Sequence, residues 1–233
     1  MSIFQPTTFY YQPPAIITEA GPVLSGLTVY VDAGNTTSYN GSGTTWTDLS
    51  GNANNCTLVN SPTFTSGTSG YFQLNGTNQY VRVPVGLNLT AHTIQLIVMS
   101  TAGAKVQRTF MSCDTTSGIG SGAPYRDMYF TTTTVSTYAQ SLGATTLSAT
   151  YNLNQWYAFA LTQASATQQG YRDSTQTITN RTGMPSDGDN QSITVGTGYW
   201  GYSNMRIAAI LVYNRQLSST EITENFNYFD TRY

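Results

Sequence analysis

The chain has 233 residues, enough for one large domain or two small ones. Only 9% of them are charged, against about 25% in an average soluble protein, and Thr, Ser, Asn, Gly and Tyr fill the deficit. The nine basic residues stand singly, one of them a lysine (Lys105), and the formal charge is -2, so nothing is available to neutralise a phosphate backbone and nucleic acid is excluded as a partner.

Residues 1–24 differ from the rest of the chain. Prolines at 6, 13, 14 and 22 forbid a helix or a central strand, while Phe4, Phe9, Tyr10, Tyr11, Ile16 and Ile17 are apolar and adhesive. The segment reads as an extended arm that docks on a neighbour or on its own domain, ahead of a single domain over residues 25–233. The N-terminus lacks the basic and apolar regions of a secretory signal, and no apolar run approaches the ~20 residues that cross a bilayer. A soluble protein made in a cytoplasm, with no membrane partner, is expected.

From Gly26 onward the apolar pattern has period two. In "YFQLNGTNQYVRV", Phe72 and Leu74 share a face, Asn75-Gly76 turns the chain, and Val81 and Val83 point inward with Arg82 outward, which predicts a hairpin. "HTIQLIVMS" places Ile94, Leu96 and Val98 on one face and Ile97 and Met99 on the other, the pattern of a strand covered on both sides. "QWYAFALTQ" and "MRIAAILVYN" keep the same alternation. Strands joined by Gly/Asn/Ser-rich turns predict an all-β antiparallel sandwich. One helix is predicted, in "QLSSTEITENFNYF": Ser218 and Glu221 have capping-box spacing, and Ile222, Phe226 and Phe229 succeed them at helical intervals.

The segments "GLTVYVDAGNTTSYNGSGTTWTDLSGNANNCTLVNSPTF", "GYFQLNGTNQYVRVP", "NQWYAFALTQ" and "ITVGTGYWGYSNMRIAAILVYNRQLSSTEITENFN" together resemble the laminin-G-like, concanavalin A-like lectin/glucanase jelly rolls, from about Gly26 to Asn227. The resemblance implies two curved sheets packed face to face, with a concave face that binds sugar in some members. It also implies that the last strand, near Arg206 to Asn214, lies beside the first, near Leu27 to Asp32. The version with "DAGN" and "VYNRQLS" looks like domains of bacteriophage and other viral structural proteins. On that likeness the expected function is a non-enzymatic virion subunit, a capsid decoration or tail-associated jelly roll. It would be held to other virion proteins by its arm, be present in many copies or as a homo-oligomer, and be located in the virion. The alternative is a glycan-binding adhesion module that recognises host surface polysaccharide.

Candidate chemistry is sparse. Glycosidases need two carboxylates about 5 to 10 Å apart, and the one Asp/Glu pair spaced by two, Asp187 and Asp189, lies in the turn "MPSDGDNQS". The single histidine, His92, at a strand start, suggests a surface or capping role; there is no G-x-S-x-G elbow, and Cys113 has no other histidine to activate it. Cys56 and Cys113 read as small buried or half-buried thiols. No catalytic residue, cofactor or metal is expected. The subordinate option is calcium, near Asp32 or at Asp187 and Asp189, weakened because Ala208 and Ala209 stand where related last strands carry acids. For contact with a glycan or a partner the candidates are Tyr199, Trp200 and Tyr202 in "GTGYWGYSN", with Tyr39, Tyr80 and Tyr125 also available. Asp48, two residues before Ser50, reads as an Asx-turn former that ties Trp46 over the core edge, and Asp48→Asn is expected to be nearly neutral.

Overall fold

The computed structural model describes residues 21–87, 90–102, 107–113, 126–131, 134–139, 143–184, 192–198 and 201–233. The period-two segments assemble into two antiparallel sheets of eight strands. In the first, the order across the sheet is Thr175–Arg181, Thr167–Arg172, Trp156–Ala164, Ala91–Ser100, Met205–Tyr213, Tyr71–Gln73 and Thr63–Thr65, with Leu27–Asp32 also paired to Met205–Tyr213. In the second the order is Gly143–Thr150, Thr134–Ala139, Arg126–Phe130, Gln107–Cys113, Ser192–Val195, Tyr80–Val83, Cys56–Val59 and Thr45–Trp46. The predicted meeting of first and last strands is present, with Tyr30 opposite Leu211 and Asp32 opposite Ala209.

Between the sheets lies one apolar cluster, fed by the inward residues of both: Ile94, Leu96 and Val98 from one, Val81, Val83 and Ile193 from the other. Phe72 is fully buried in it, with Trp46 and Tyr39 each 4.8 Å away, edge to face. The first sheet is covered on its other face too. Ile97, Ala158, Ala208, Ala209 and Leu211 form a second cluster with Ile222 and Phe229 of the C-terminal helix Ser219–Asp230. The alternation of "HTIQLIVMS" is thus matched by a strand buried on both faces.

The helix begins as its sequence requires. Ser218 accepts the Glu221 N–H and Glu221 accepts the Ser218 N–H, closing the capping box, while Arg215 pairs with the same glutamate at 3.0 Å. A buried asparagine fixes it to the sheet alongside these apolar contacts. The fully buried Asn225 donates to Gln95 at 2.9 Å and to the Tyr213 hydroxyl at 3.0 Å, and accepts the Val23 N–H at 2.8 Å.

The hairpin expected at Asn75-Gly76 is instead a corner between sheets. Tyr71–Gln73 pairs with Met205–Tyr213 in the first sheet, and Tyr80–Val83 pairs with Cys56–Val59 and Ser192–Val195 in the second. The physical reason lies in the turn. The Asn75 side-chain oxygen accepts the N–H groups of Thr77, Asn78 and Gln79, with Gly76 at φ +68, and this broad loop separates the strands beyond pairing distance. The inward and outward assignments of Phe72, Leu74, Val81, Val83 and Arg82 are nevertheless as expected.

Candidate functional site

The aromatic strand start "NQWY", the hairpin after "GYRD" and the end of the C-terminal helix converge on one cleft of about 410 Å³. That volume is within the usual range for small-molecule sites, about 300 to 1,000 Å³. Its floor is buried and apolar: Ile97, Tyr157, Ala158 and Phe229. Its walls are the half-buried rings of Trp156, Phe226 and Tyr233, and its rim carries the exposed amides of Asn154 and Gln155. Two carboxylates, Asp173 and Asp230, complete it.

Strand pairing places these groups. Trp156 opens the strand Trp156–Ala164 opposite Met99, and its ring lies 5.8 Å from that of Tyr71. Tyr233 packs 5.0 Å from Trp156 and donates its hydroxyl to the Gly70 carbonyl at 2.9 Å, so the ring is held from both ends. Arg206 lies 4.7 Å over the Tyr71 ring and closes the row. The result is a line of rings on the outer face of the first sheet, leading into the cleft.

Asp173 occupies the left-handed position of the turn between Thr167–Arg172 and Thr175–Arg181, at φ 57. Its backbone N–H donates to the Ala158 carbonyl at 2.6 Å, its carboxylate accepts the Ala158 N–H at 3.1 Å, and the Arg172 Nε is 3.7 Å away. Burial raises its pKa, the Ala158 N–H and the Arg172 charge oppose that rise, and the neighbouring charge of Asp230 adds to it. Asp230 is exposed in the last turn of the helix, and among the described residues no hydrogen bond or ion pair engages its side chain.

The residues singled out in the sequence are distributed differently. Tyr202 is half-buried with its ring 6.3 Å from that of Tyr80, so two of the expected rings do come together. Tyr39 is a core residue between Phe64 and Phe72 and offers no face to a ligand. Tyr125, Tyr199 and Trp200 lie outside the described residues, as do Asp187 and Asp189 and the arm residues Phe4, Phe9, Tyr10, Tyr11, Ile16 and Ile17. His92 is fully buried, contrary to the surface or capping role expected of it. Cys56 is a buried free thiol whose pKa is raised by burial and by Asp48.

Asp32 is engaged by donors. Its carboxylate accepts the Gly34 N–H at 2.9 Å, the Tyr30 hydroxyl at 3.1 Å and the Arg232 guanidinium at 2.8 Å, tying the chain's last residues to its first strand. Among the described residues no three His, Cys, Asp or Glu side chains gather in a metal-binding group. Asp48 forms the expected Asx-turn to the Ser50 N–H at 2.9 Å, beside a fully buried Trp46. It does more than expected: it also accepts the Tyr30 N–H at 2.8 Å, the Ser50 hydroxyl at 2.7 Å and the Asn54 N–H at 2.9 Å. Two donors on each oxygen leave no place for a side-chain amide nitrogen, so the expected neutrality of Asp48→Asn is corrected.

The cleft residues were missed as a group because the sequence presents them in three separate places. Trp156 and Tyr157 read as strand residues and Phe226 and Phe229 as the helix's apolar stripe, while no motif in the sequence marks Asp173 or Tyr233. A ring one position outside the period-two pattern and an acid at a helix C-terminus were the available signals.

A family model described as the concanavalin A-like lectin/glucanases superfamily matches residues 75–223, and the chain belongs to that superfamily. No curated protein matches it by sequence. Among solved structures, a Trypanosoma rangeli sialidase in complex with 2,3-difluorosialic acid is similar over 97% of this chain and 36% of its own, at 16% identity and TM-score 0.72. Domain 4 of an extracellular arabinanase from Geobacillus stearothermophilus, in complex with arabinotriose, is similar over 85% of this chain and 97% of its own, at 16% identity and TM-score 0.65. The receptor binding domain of a botulinum neurotoxin C/D mosaic serotype is similar over 88% of this chain and 52% of its own, at 10% identity and TM-score 0.66. The chain spans about a third of the sialidase's length, and at these identities the likeness is one of fold. These matches overturn the virion-subunit reading. The structures that share the fold over most of the chain include a sialidase, an arabinanase domain with arabinotriose bound and a toxin receptor binding domain.

Proposed function

We propose that this domain is a carbohydrate-binding module that holds a glycan in the Trp156–Tyr233 cleft without cleaving it. The observation that carries the reading is the combination within one cleft of half-exposed rings, side-chain amides and carboxylates. A sugar ring presents an apolar C–H face and a rim of hydroxyls. Trp156, Tyr233 and Phe226 offer surface for the former, and Asn154, Gln155, Asp173 and Asp230 offer partners for the latter. The likeness to an arabinanase domain with arabinotriose bound supports the same reading.

A binding rather than a hydrolytic role rests on how Asp173 is employed. One of its oxygens is fixed by the Ala158 N–H and the other faces Arg172, so it accepts hydrogen bonds and is poorly placed to deliver a proton. The test is an array of plant, bacterial and animal oligosaccharides probed with the wild-type chain and with Trp156→Ala. Loss of a central ring typically costs about 2 kcal/mol, so binding to any positive glycan should weaken about 30-fold. Glycan binding unchanged by Trp156→Ala would rule out the cleft as the site.

A further inference from the structure

The charges of the cleft are one-sided, and one of them is placed at a cost to the fold. Asp230 lies in the last turn of the helix, where the backbone carbonyls present the negative end of the helix dipole and no basic residue is present in that turn. It faces a second carboxylate, Asp173, across the cleft, and the two repel. Among the described residues nothing pairs with its side chain, and no lysine, arginine or histidine among them lines the cleft.

Arg172 and Arg232, close in sequence to these two carboxylates, are already engaged. Arg172 sits beside Asp173 at 3.7 Å and donates to the Thr150 carbonyl at 2.7 Å, offsetting roughly one of the two negative charges. Arg232 is bound to buried Asp32 and packed against the rings of Tyr228 and Phe229. A carboxylate set against its helix dipole and against a like charge, with no partner, destabilises the folded chain, and its effect on whatever enters the cleft is the compensating role.

Resting on the cleft being the glycan site, we infer that it selects by charge: its ligand is an uncharged oligosaccharide, and chains ending in sialic or uronic acids are rejected. The hydroxyls of a neutral sugar donate to the Asp230 and Asp173 oxygens, whereas an anionic sugar brings a third carboxylate beside the two that already line the cleft. Like-charge juxtaposition of this kind is a strong discriminator.

The experiment compares matched pairs, neutral oligosaccharides and the same chains capped with sialic acid, titrated calorimetrically into the full chain and into Asp230→Lys. The wild type should bind the neutral member at least about tenfold more tightly. Asp230→Lys should bring the pair to within about threefold, with a melting temperature equal to or above that of the wild type. Sialylated members binding as well as neutral ones, or a preference unmoved by Asp230→Lys, overturns the inference while leaving glycan binding intact. If no member binds, the proposed function fails, and the inference falls with it.

Discussion

Asp48→Asn should destabilise the fold markedly, although it is the most conservative change available there. The wild-type carboxylate accepts Tyr30 N–H and Ser50 N–H on one oxygen and Ser50 hydroxyl and Asn54 N–H on the other. An asparagine retains one acceptor oxygen. If that oxygen keeps the Tyr30 and Ser50 backbone donors, the amide nitrogen faces the Asn54 N–H, donor against donor. The serine hydroxyl can rotate to accept, but the Asn54 N–H cannot. One orphaned backbone donor costs about 1 to 3 kcal/mol, and weaker bonds to the uncharged oxygen add to that, giving roughly 2 to 3 kcal/mol for Asp48→Asn. Asp48→Ala strands three backbone donors and should cost about 3 to 5 kcal/mol, the loop being exposed enough for water to recover part. Urea melts monitored by the fluorescence of Trp46, which is fully buried beside this loop, measure both. An Asp48→Asn loss below about 0.5 kcal/mol would refute the reasoning, and a loss that appeared only on adding calcium would assign the carboxylate to a metal instead.

Asp230→Asn should raise stability by about 0.3 to 1 kcal/mol, because it removes a charge opposed to the helix dipole; the readout is a melting point about 1 to 3 °C higher. Glu221 is held at about 2, first by the Arg215 hydrogen bonds, below its ordinary value of 4.5. Its stabilisation is therefore complete above about 4.5 and is lost as pH falls towards about 2, so melting temperatures measured across that window should fall less steeply for Glu221→Gln than for the wild type. Asn225→Ala should cost about 2 to 4 kcal/mol in denaturant unfolding, since it unpairs the Val23 N–H and the Gln95 and Tyr213 side chains at once under the helix.

The facing of Phe72, Val81, Ile94 and Ile97, the capping box at Ser218 and the pairing of first and last strands were all legible in the sequence, from local period and spacing or from the family resemblance. What local period does not carry is which sheet a strand joins. Phe72 and Val81 face one core from opposite sheets, and the same alternation would serve a hairpin. The role of Asp48 was legible in kind, as an Asx-turn, but not in degree. Two of its four donors, at Tyr30 and Asn54, arrive from beyond the turn, and only the fold brings Tyr30 there. The cleft escaped for the same reason: Trp156, Asp173 and Asp230 are adjacent only once the strand pairing and the helix packing are known.

Whether a glycan sits on Trp156 and Tyr233 is decided most directly by a crystal structure of the chain soaked with its tightest-binding oligosaccharide. The cleft geometry predicts sugar density stacked on one or both rings, with hydroxyls within hydrogen-bond distance of Asp230 or Asp173. Sugar bound instead at the Tyr80–Tyr202 edge, with the cleft empty, would contradict the proposed function of the cleft.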